Sequence, residues 1–397
     1  AKERGLPIDG HAPGLRGAAL ERYVAAGITT DHESFSYDEG AEKLALGMKL
    51  LIREGSAARN FEELWPLLAE YPDRCMFSSD DRHPDDLLAG HINLLVRRAV
   101  DNGVDLMTVL RSASLHPVEH YGLPVGLLRE GDRADFIEVS DLVDFRLLRT
   151  VIGGAVVAEE GETRIPSVPV RLVNRCLSRT ISGNELRAVV DGVADGPVTI
   201  EVIEAIDGQI VTGRSRMKAA VGDGAILTDA KRDLAKIVVV NRYEPAEPAV
   251  AFITGFGMRS GAIASSVAHD SHNVVAVGYD DEAIARAVTM VLEEGGGLSA
   301  VGEEGTQLLP LPVAGLMSDG DGESTAAAYG MIDRFVRDDL GSILAAPYMT
   351  LSFMALLVIP RLKLGDRGLF DAESFSFTPV RVDTPPGNHS SQEQSDA

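Results

Sequence analysis

Apolar residues in the first hundred positions fall in short runs. Each run gives way to a longer stretch in which apolar positions recur every three or four residues. Short runs bounded by Gly, Asp and Ser predict buried strands, and the 3.6-residue recurrence predicts amphipathic helices. The expected strands are 6–11, 28–32, 48–53 and 74–79. The expected helices are 15–26, 37–46, 60–70 with Asn60 as N-cap, and 84–101. Strand followed by helix, repeated four times, implies a parallel sheet with crossover helices. Ahead of the first run, AKERG reads as the last turn of a helix closed by Gly5, so a preceding portion of chain is expected.

Beyond position 106 the pattern changes. A helix with a break and a short turn spans 107–123, and alternating apolar positions around Phe136, Ile137 and Val139 start a β pattern that continues through 148–157. Gly153-Gly154 marks a hairpin in it. A linker follows at 166–169, then mixed strands and helices, among them strongly amphipathic helices at 281–296 and 324–340. The fold class is therefore α/β. Residues 1–115 form the second half of a (β/α)₈ TIM-like barrel, 116–168 a small β module, 169–382 a C-terminal α+β domain, and 383–397 a polar, disordered tail. The apolar run 343–360 is long enough to raise a membrane question, but Pro347, Thr350 and Ser352 interrupt it, and a buried core segment is expected.

Charge and composition narrow the function. The 397 residues carry a formal net charge of -23, with no dense Lys/Arg cluster, so nucleic-acid binding has no basic face to use. The apolar content of 45% is that of a globular chain. Cys75 and Cys176 are far apart in apolar settings, which argues against a disulfide framework or a thiolate zinc site and fits a reducing cytoplasm. No phosphate loop, GxSxG elbow or HxE…PCxxC signature is present.

The candidate chemistry lies at strand ends. His11 in IDGHAPG, His32 in ITTDHES and Asp80 in FSSDDRHPDDL each follow an apolar run. His11 and His32 are one βα unit apart, and Asp80 is two units further on, so all three fall at the carboxyl ends of parallel strands, the active face of a barrel. Each histidine alone reads more readily as a helix cap or a loop hydrogen-bonding group than as a metal ligand. Together with an aspartate they supply what a metal-activated water needs. Asp85 and Asp86 suit the first turn of the next helix. His116 and His120, four apart around Pro117, read as structural. His269, Asp270 and His272 form a second cluster, either a ligand site or a tight turn before a strand.

At DGHAPGL, TTDHES, GMKLLIREGSAARN, SSDDRHPDDLLAGHINLLVRRAV and GFGMRSGAIASSVAHDSHN the chain resembles the adenine deaminases of the metal-dependent amidohydrolase superfamily. LPLPVAGLMSD and PYMTLSFMALLVIPRLKLGDRGL match as well, so the resemblance spans nearly the whole chain. It implies hydrolysis of adenine to hypoxanthine and ammonia, with His11 and His32 as metal ligands of the fifth and sixth strands and Asp80 as the eighth-strand residue that binds metal and moves protons. It further implies a binuclear centre of a divalent metal, Mn or Fe with Zn as an option. Substrate contacts are assigned to Asp81, Arg82, His83, His269, Asp270 and His272, and a homo-oligomer without nucleic-acid or membrane partners is expected. A cyclic-amide hydrolase of the hydantoinase type, or a non-catalytic binding protein, is the alternative. The superfamily's first-strand HxH pair and fourth-strand carboxylate have no counterpart here. On that ground a barrel half on the order of 100–200 residues is expected to be missing, and the lone chain is expected to aggregate.

Overall fold

A computed structural model describes residues 1–382, so the tail expected at 383–397 lies outside the described residues. The chain divides into two compact units, Ala1–Val170 and Arg171 onward. In the first unit the elements in order are α1 (Gly17–Ala25), β1 (Thr30–Asp31), α2 (Tyr37–Ala45), β2 (Lys49–Arg53), α3 (Phe61–Leu64), α4 (Leu67–Glu70), β3 (Cys75–Ser78), α5 (Pro84–Ala89), α6 (Ile92–Asp101), α7 (Leu106–Leu110) and α8 (His116–Tyr121). A small antiparallel sheet follows, made of β4 (Phe136–Val139), β5 (Leu147–Ile152), β6 (Ala155–Glu159) and β7 (Glu162–Thr163). Gly153 and Gly154, at φ 59° and 83°, make its expected hairpin turn, where the positive φ of both residues matches the strand twist.

Strands β1, β2 and β3 lie side by side, all parallel, with β2 in the middle. Their alternation sorts the side chains. Leu50, Ile52, Cys75 and Phe77 pack into one core with Leu44, Phe61, Leu64, Leu67 and Leu95 of the helices. Lys49, Leu51 and Arg53, and Met76 and Ser78, therefore point to the other face of the sheet. The register pairs Asp31 with Leu50 and Arg53 with Ser78, so β2 and β3 end level, while β1 stops three residues short of them and the chain after Asp31 runs on alongside Leu51 to Arg53.

Four expected elements differ. The strand expected at 6–11 joins no ladder: the Ile8 carbonyl accepts the Thr29 amide at 2.8 Å and the Thr29 hydroxyl at 3.0 Å, and the Asp9 carboxylate accepts the hydroxyl of Thr30 in β1. The helix expected at 60–70 is two short helices, because Pro66 has no N–H to continue the first, and Asn60 makes no side-chain cap bond. The helix expected at 84–101 breaks at Gly90, whose φ of 151° no other residue adopts readily. The break expected within 107–123 does not occur. A π turn over Arg111–Leu115 leads directly into α8, so Pro117 enters the helix where the regular ladder is already interrupted.

The second unit is built on a nine-stranded sheet. Its strands are β8 (Gly196–Glu204), β9 (Gly213–Gly222), β10 (Ala225–Ile226), β11 (Ala235–Val240), β12 (Ala249–Thr254), β13 (Ala262–Ser265), β14 (Val274–Gly278), β15 (Gly297–Gly302) and β16 (Gly305–Pro310). They lie in the order β10-β9-β8-β12-β11-β14-β13-β15-β16. Helix α9 (Asp281–Glu293) buries Ile284, Val288, Val291 and Leu292 against it. Helices α10 (Gly322–Asp338) and α11 (Pro347–Phe353) and a three-stranded sheet, β17 (Leu362–Gly365), β18 (Gly368–Asp371) and β19 (Ser376–Phe377), complete it. The apolar run 343–360 holds only the seven-residue α11, every residue of which is buried, and no described helix is long and apolar enough to cross a membrane.

Lys363 on β17 is fully buried and donates to the carbonyls of Ile210 at 2.7 Å and Phe353 at 3.0 Å. Burial pushes its ammonium down to about 7. Between that value and the ordinary lysine range near 10.4, the unfolded chain holds a proton that the folded chain has released, so raising the pH favours folding. Denaturant titrations at pH 7, 8 and 9 should show the wild type gaining stability over Lys363→Met by on the order of 1 kcal/mol per pH unit. A pH-independent difference would mean that Lys363 stays charged in the fold.

Candidate metal centre

The loops that leave β1 and β3 carry His32 and Asp80, the segment ahead of α1 carries His11, and a buried ionic network holds the two histidine-bearing segments. Lys43 of α2 has no solvent exposure. Its ammonium donates to the Ala12 carbonyl at 2.6 Å, Asp31 Oδ2 at 3.0 Å, Ser34 Oγ at 3.1 Å and Glu39 Oε1 at 2.6 Å. The carboxylates pass the constraint on. Asp31 Oδ1 accepts the Ala12 amide and Glu39 Oε1 the Gly14 amide, while Asp31 Oδ2 accepts the Glu33 amide and the Ser34 hydroxyl. Ala12 follows His11, and Asp31 and Glu33 flank His32, so one lysine ties both histidine-bearing segments together.

The result is a compact donor group. The His11 and His32 rings meet edge to face with centroids 4.5 Å apart. One ligand atom each from His11, His32 and Glu33 lies within 4.8 Å of the others. His11 Nδ1 is 3.1 Å from Glu33 Oε1. Asp80 joins through His32, its Oδ2 lying 3.3 Å from His32 Nε2. Burial lowers the His32 imidazole below its ordinary value, against the pull of Asp80 and Glu33, so the ring is neutral at pH 7 with a lone pair to donate. Glu33 is 5% exposed, and its Oε2 is buried without a hydrogen-bond partner among the described residues. A buried carboxylate oxygen is rarely left so unless a ligand or ion completes it. Two imidazoles and two carboxylates fit a divalent transition metal.

The structure therefore brings His11, His32 and Asp80 together and adds Glu33, which sequence reasoning missed. Glu33 adjoins His32 and has no spacing of its own to mark it. The one available signal was a carboxylate placed directly after a buried strand end, the same signal that singled out Asp80.

The rest of the Asp80 loop turns to neighbouring elements. The Asp81 carbonyl accepts the Ser56 amide at 2.9 Å, where Gly55 brings the loop after β2 against it. A Cβ on Gly55 would sit 2.8 Å from that same carbonyl oxygen. Arg82 donates to the Asp86 carbonyl at 3.2 Å. His83 precedes α5 and takes the Ser56 hydroxyl oxygen on its amide, and burial pushes its imidazole down to about 4. Asp86 accepts the Ser56 hydroxyl. His116 is buried with Nδ1 2.9 Å from the Cys75 carbonyl, the structural role expected of it, and His120 packs edge to face on Tyr121.

In the second unit His269, Asp270 and His272 sit in a turn between β13 and β14. The His269 ring stacks on Phe353 with centroids 4.6 Å apart, and its centroid is 6.1 Å from that of His272. His269 Nδ1 is 3.6 Å from the exposed Asp270 carboxylate. Arg242 donates to the His272 carbonyl at 2.5 Å, and Tyr243 to that of Ser271 at 2.9 Å, so the turn is anchored through its backbone.

Comparison with known proteins agrees with the first unit's parallel strands and donor group in pointing to an amidohydrolase: residues 1–157 match the Amidohydrolase family. Residues 209–376 match the Adenine deaminase C-terminal domain. The adenine deaminase of Salinibacter ruber is 55% identical over 384 residues, covering 96% of this chain and 69% of the relative. Those of Sulfurovum sp. and Methanosarcina mazei are 54% and 48% identical, covering 93% and 96% of this chain and 67% and 70% of the relatives. The chain belongs to the adenine deaminase family.

Proposed function

We propose that the chain takes part in the hydrolytic deamination of adenine to hypoxanthine and ammonia, at a metal centre built on His11, His32, Glu33 and Asp80. The observation that carries this is the convergence of His11, His32 and Glu33 within 4.8 Å, with Asp80 on His32, in a member of the adenine deaminase family. In this reading β1, β2 and β3 belong to a (β/α)₈ barrel and the donors lie on its active face. His11 and His32 would hold the metal with Glu33 and Asp80, and Mn, Fe or Zn suits these donors, one ion or two. When bound, the cation supplies the Lewis acidity that makes water a nucleophile near neutral pH.

The chain's own residues do the rest. Asp80 Oδ2 takes a proton from the attacking water as its oxygen bonds to the carbon that carries the amino group. Asp80 then gives the proton to the amino nitrogen as the C–N bond breaks and ammonia leaves. The same Asp80 oxygen lies 3.3 Å from His32 Nε2, so both atoms could meet one cation. Asp81, Arg82 and His83 are assigned to the purine side of the site. The substrate role of His269, Asp270 and His272 is a separate assignment within the second unit, and His269→Ala should raise KM more than it lowers kcat.

A panel of purines and cyclic amides, followed by ultraviolet absorbance, tests the substrate. Adenine should be the preferred substrate of the metal-loaded natural protein, and turnover of dihydropyrimidines or hydantoins in its place would overturn the assignment. Metal analysis tests the ligands independently. Replacing His32 with Ala should weaken metal binding at least tenfold, about the loss expected even for a residue that only supports a ligand. Unchanged stoichiometry after dialysis would remove His32 from the centre.

A further inference from the structure

Arg53 ends β2, the middle strand of the parallel sheet, on the face turned away from the helix core. It is 2% exposed. Its position lets one guanidinium reach the loops after both flanking strands. Nη1 lies 3.1 Å from Asp80 Oδ2, beyond β3, and 3.8 Å from Glu33 Oε1, beyond β1. The Asp80 oxygen it meets is the one that faces His32 Nε2 at 3.3 Å. The other oxygen, Oδ1, accepts the Asp81 amide at 2.8 Å. Asp80 itself has a left-handed backbone at φ 51°.

The arrangement is poor for stability. Arg53 Nε and Nη2 are buried without hydrogen-bond partners among the described residues. A buried cation with part of its fork unpaired carries a desolvation cost, and an apolar residue at a strand end inside a barrel would carry none. A guanidinium retained there is explained by what it does to the two carboxylates.

We propose that Arg53 is a positioning residue that clamps Asp80, and with it Glu33, so that Asp80 Oδ2 is held toward His32 for proton transfer. It is buried and acts through Asp80. The kinetic consequence rests on the proposed deamination, whereas the clamp itself does not. Arg53→Met should lower kcat for adenine about 10²-fold with KM nearly unchanged, the size of effect expected when a reacting group is misplaced by an ångström. Arg53→Lys should recover most of kcat, because an ammonium can still reach Asp80 although it lacks the planar fork. A mere packing role predicts no advantage of Lys over Met, since Met fills the space as well as Lys.

A second measurement needs neither metal nor turnover. In a double-mutant cycle of Arg53→Met and Asp80→Asn read by denaturant unfolding, the two changes should be non-additive by about fivefold or more in the unfolding equilibrium constant. Additive effects overturn the clamp, and so does a wild-type kcat in Arg53→Met. A coupled cycle in a protein that fails to deaminate adenine would overturn the proposed function and leave the clamp standing.

Discussion

Asp80→Asn should reduce kcat for adenine by about 10²- to 10⁴-fold while the protein melts close to the wild type. The reduction is the usual worth of a positioned general acid–base group, because the amide can neither take the proton from water nor return it to ammonia. Stability should change little, for two reasons. Asn is nearly isosteric with Asp and tolerates the left-handed conformation that Asp80 adopts at φ 51°. The Asp80 side chain is also 25% exposed, so its pairing with Arg53 is partly solvated. Steady-state kinetics together with a melting curve separate the effects. Normal turnover in a folded Asp80→Asn variant would remove the proton role, and a collapsed melting temperature would show that the residue is structural.

Lys43→Met should have the largest effect on stability of any single change in the first unit. The Lys43 ammonium and the Asp31 carboxylate are fully buried, and Glu39 is 1% exposed. Removing the one cation leaves two buried carboxylates facing each other, a situation that costs about 3–5 kcal/mol. For a unit of this size that corresponds to a loss on the order of 10 °C in its melting temperature. Because Lys43 also binds the Ala12 carbonyl and Ser34, metal affinity should fall with stability. Differential scanning calorimetry of the metal-free protein reads the first effect apart from the second. A variant that melts within a degree or two of the wild type would show that the network does not hold these loops.

Much of this was legible in the sequence because strand ends have a signature. An apolar run that stops at a His or Asp marks a carboxyl end, a reading that holds for His32 and Asp80, whereas the run before His11 joins no ladder and His11 reaches the group from a loop. The spacing between them counted βα units and placed all three on one face. Glu33 and Arg53 were hidden for different reasons. Glu33 shares its strand end with His32, and only the turn shaped by Asp31 and Ser34 decides which way its carboxylate goes. Arg53 closes the run KLLIR, where a terminal cation reads as a solvated strand end. Its burial depends on β2 being the middle strand, which is a tertiary fact. Lys43 carried a weak sign, the Glu39–Lys43 spacing of an ordinary helix pair, but such pairs are normally exposed and nothing local shows that this one is buried. The helix breaks at Pro66 and Gly90 could have been read locally. The lack of a ladder at 6–11 could not, because a strand exists only with a partner.

The most direct test is ammonia release from adenine by the natural protein, measured as isolated, after chelation of divalent metal, and after Mn is restored. Deamination that is lost on chelation and returns with Mn, in the wild type and far more weakly in Asp80→Asn, is the predicted result. Undiminished deamination in metal-stripped protein, or none in metal-loaded protein, would contradict it.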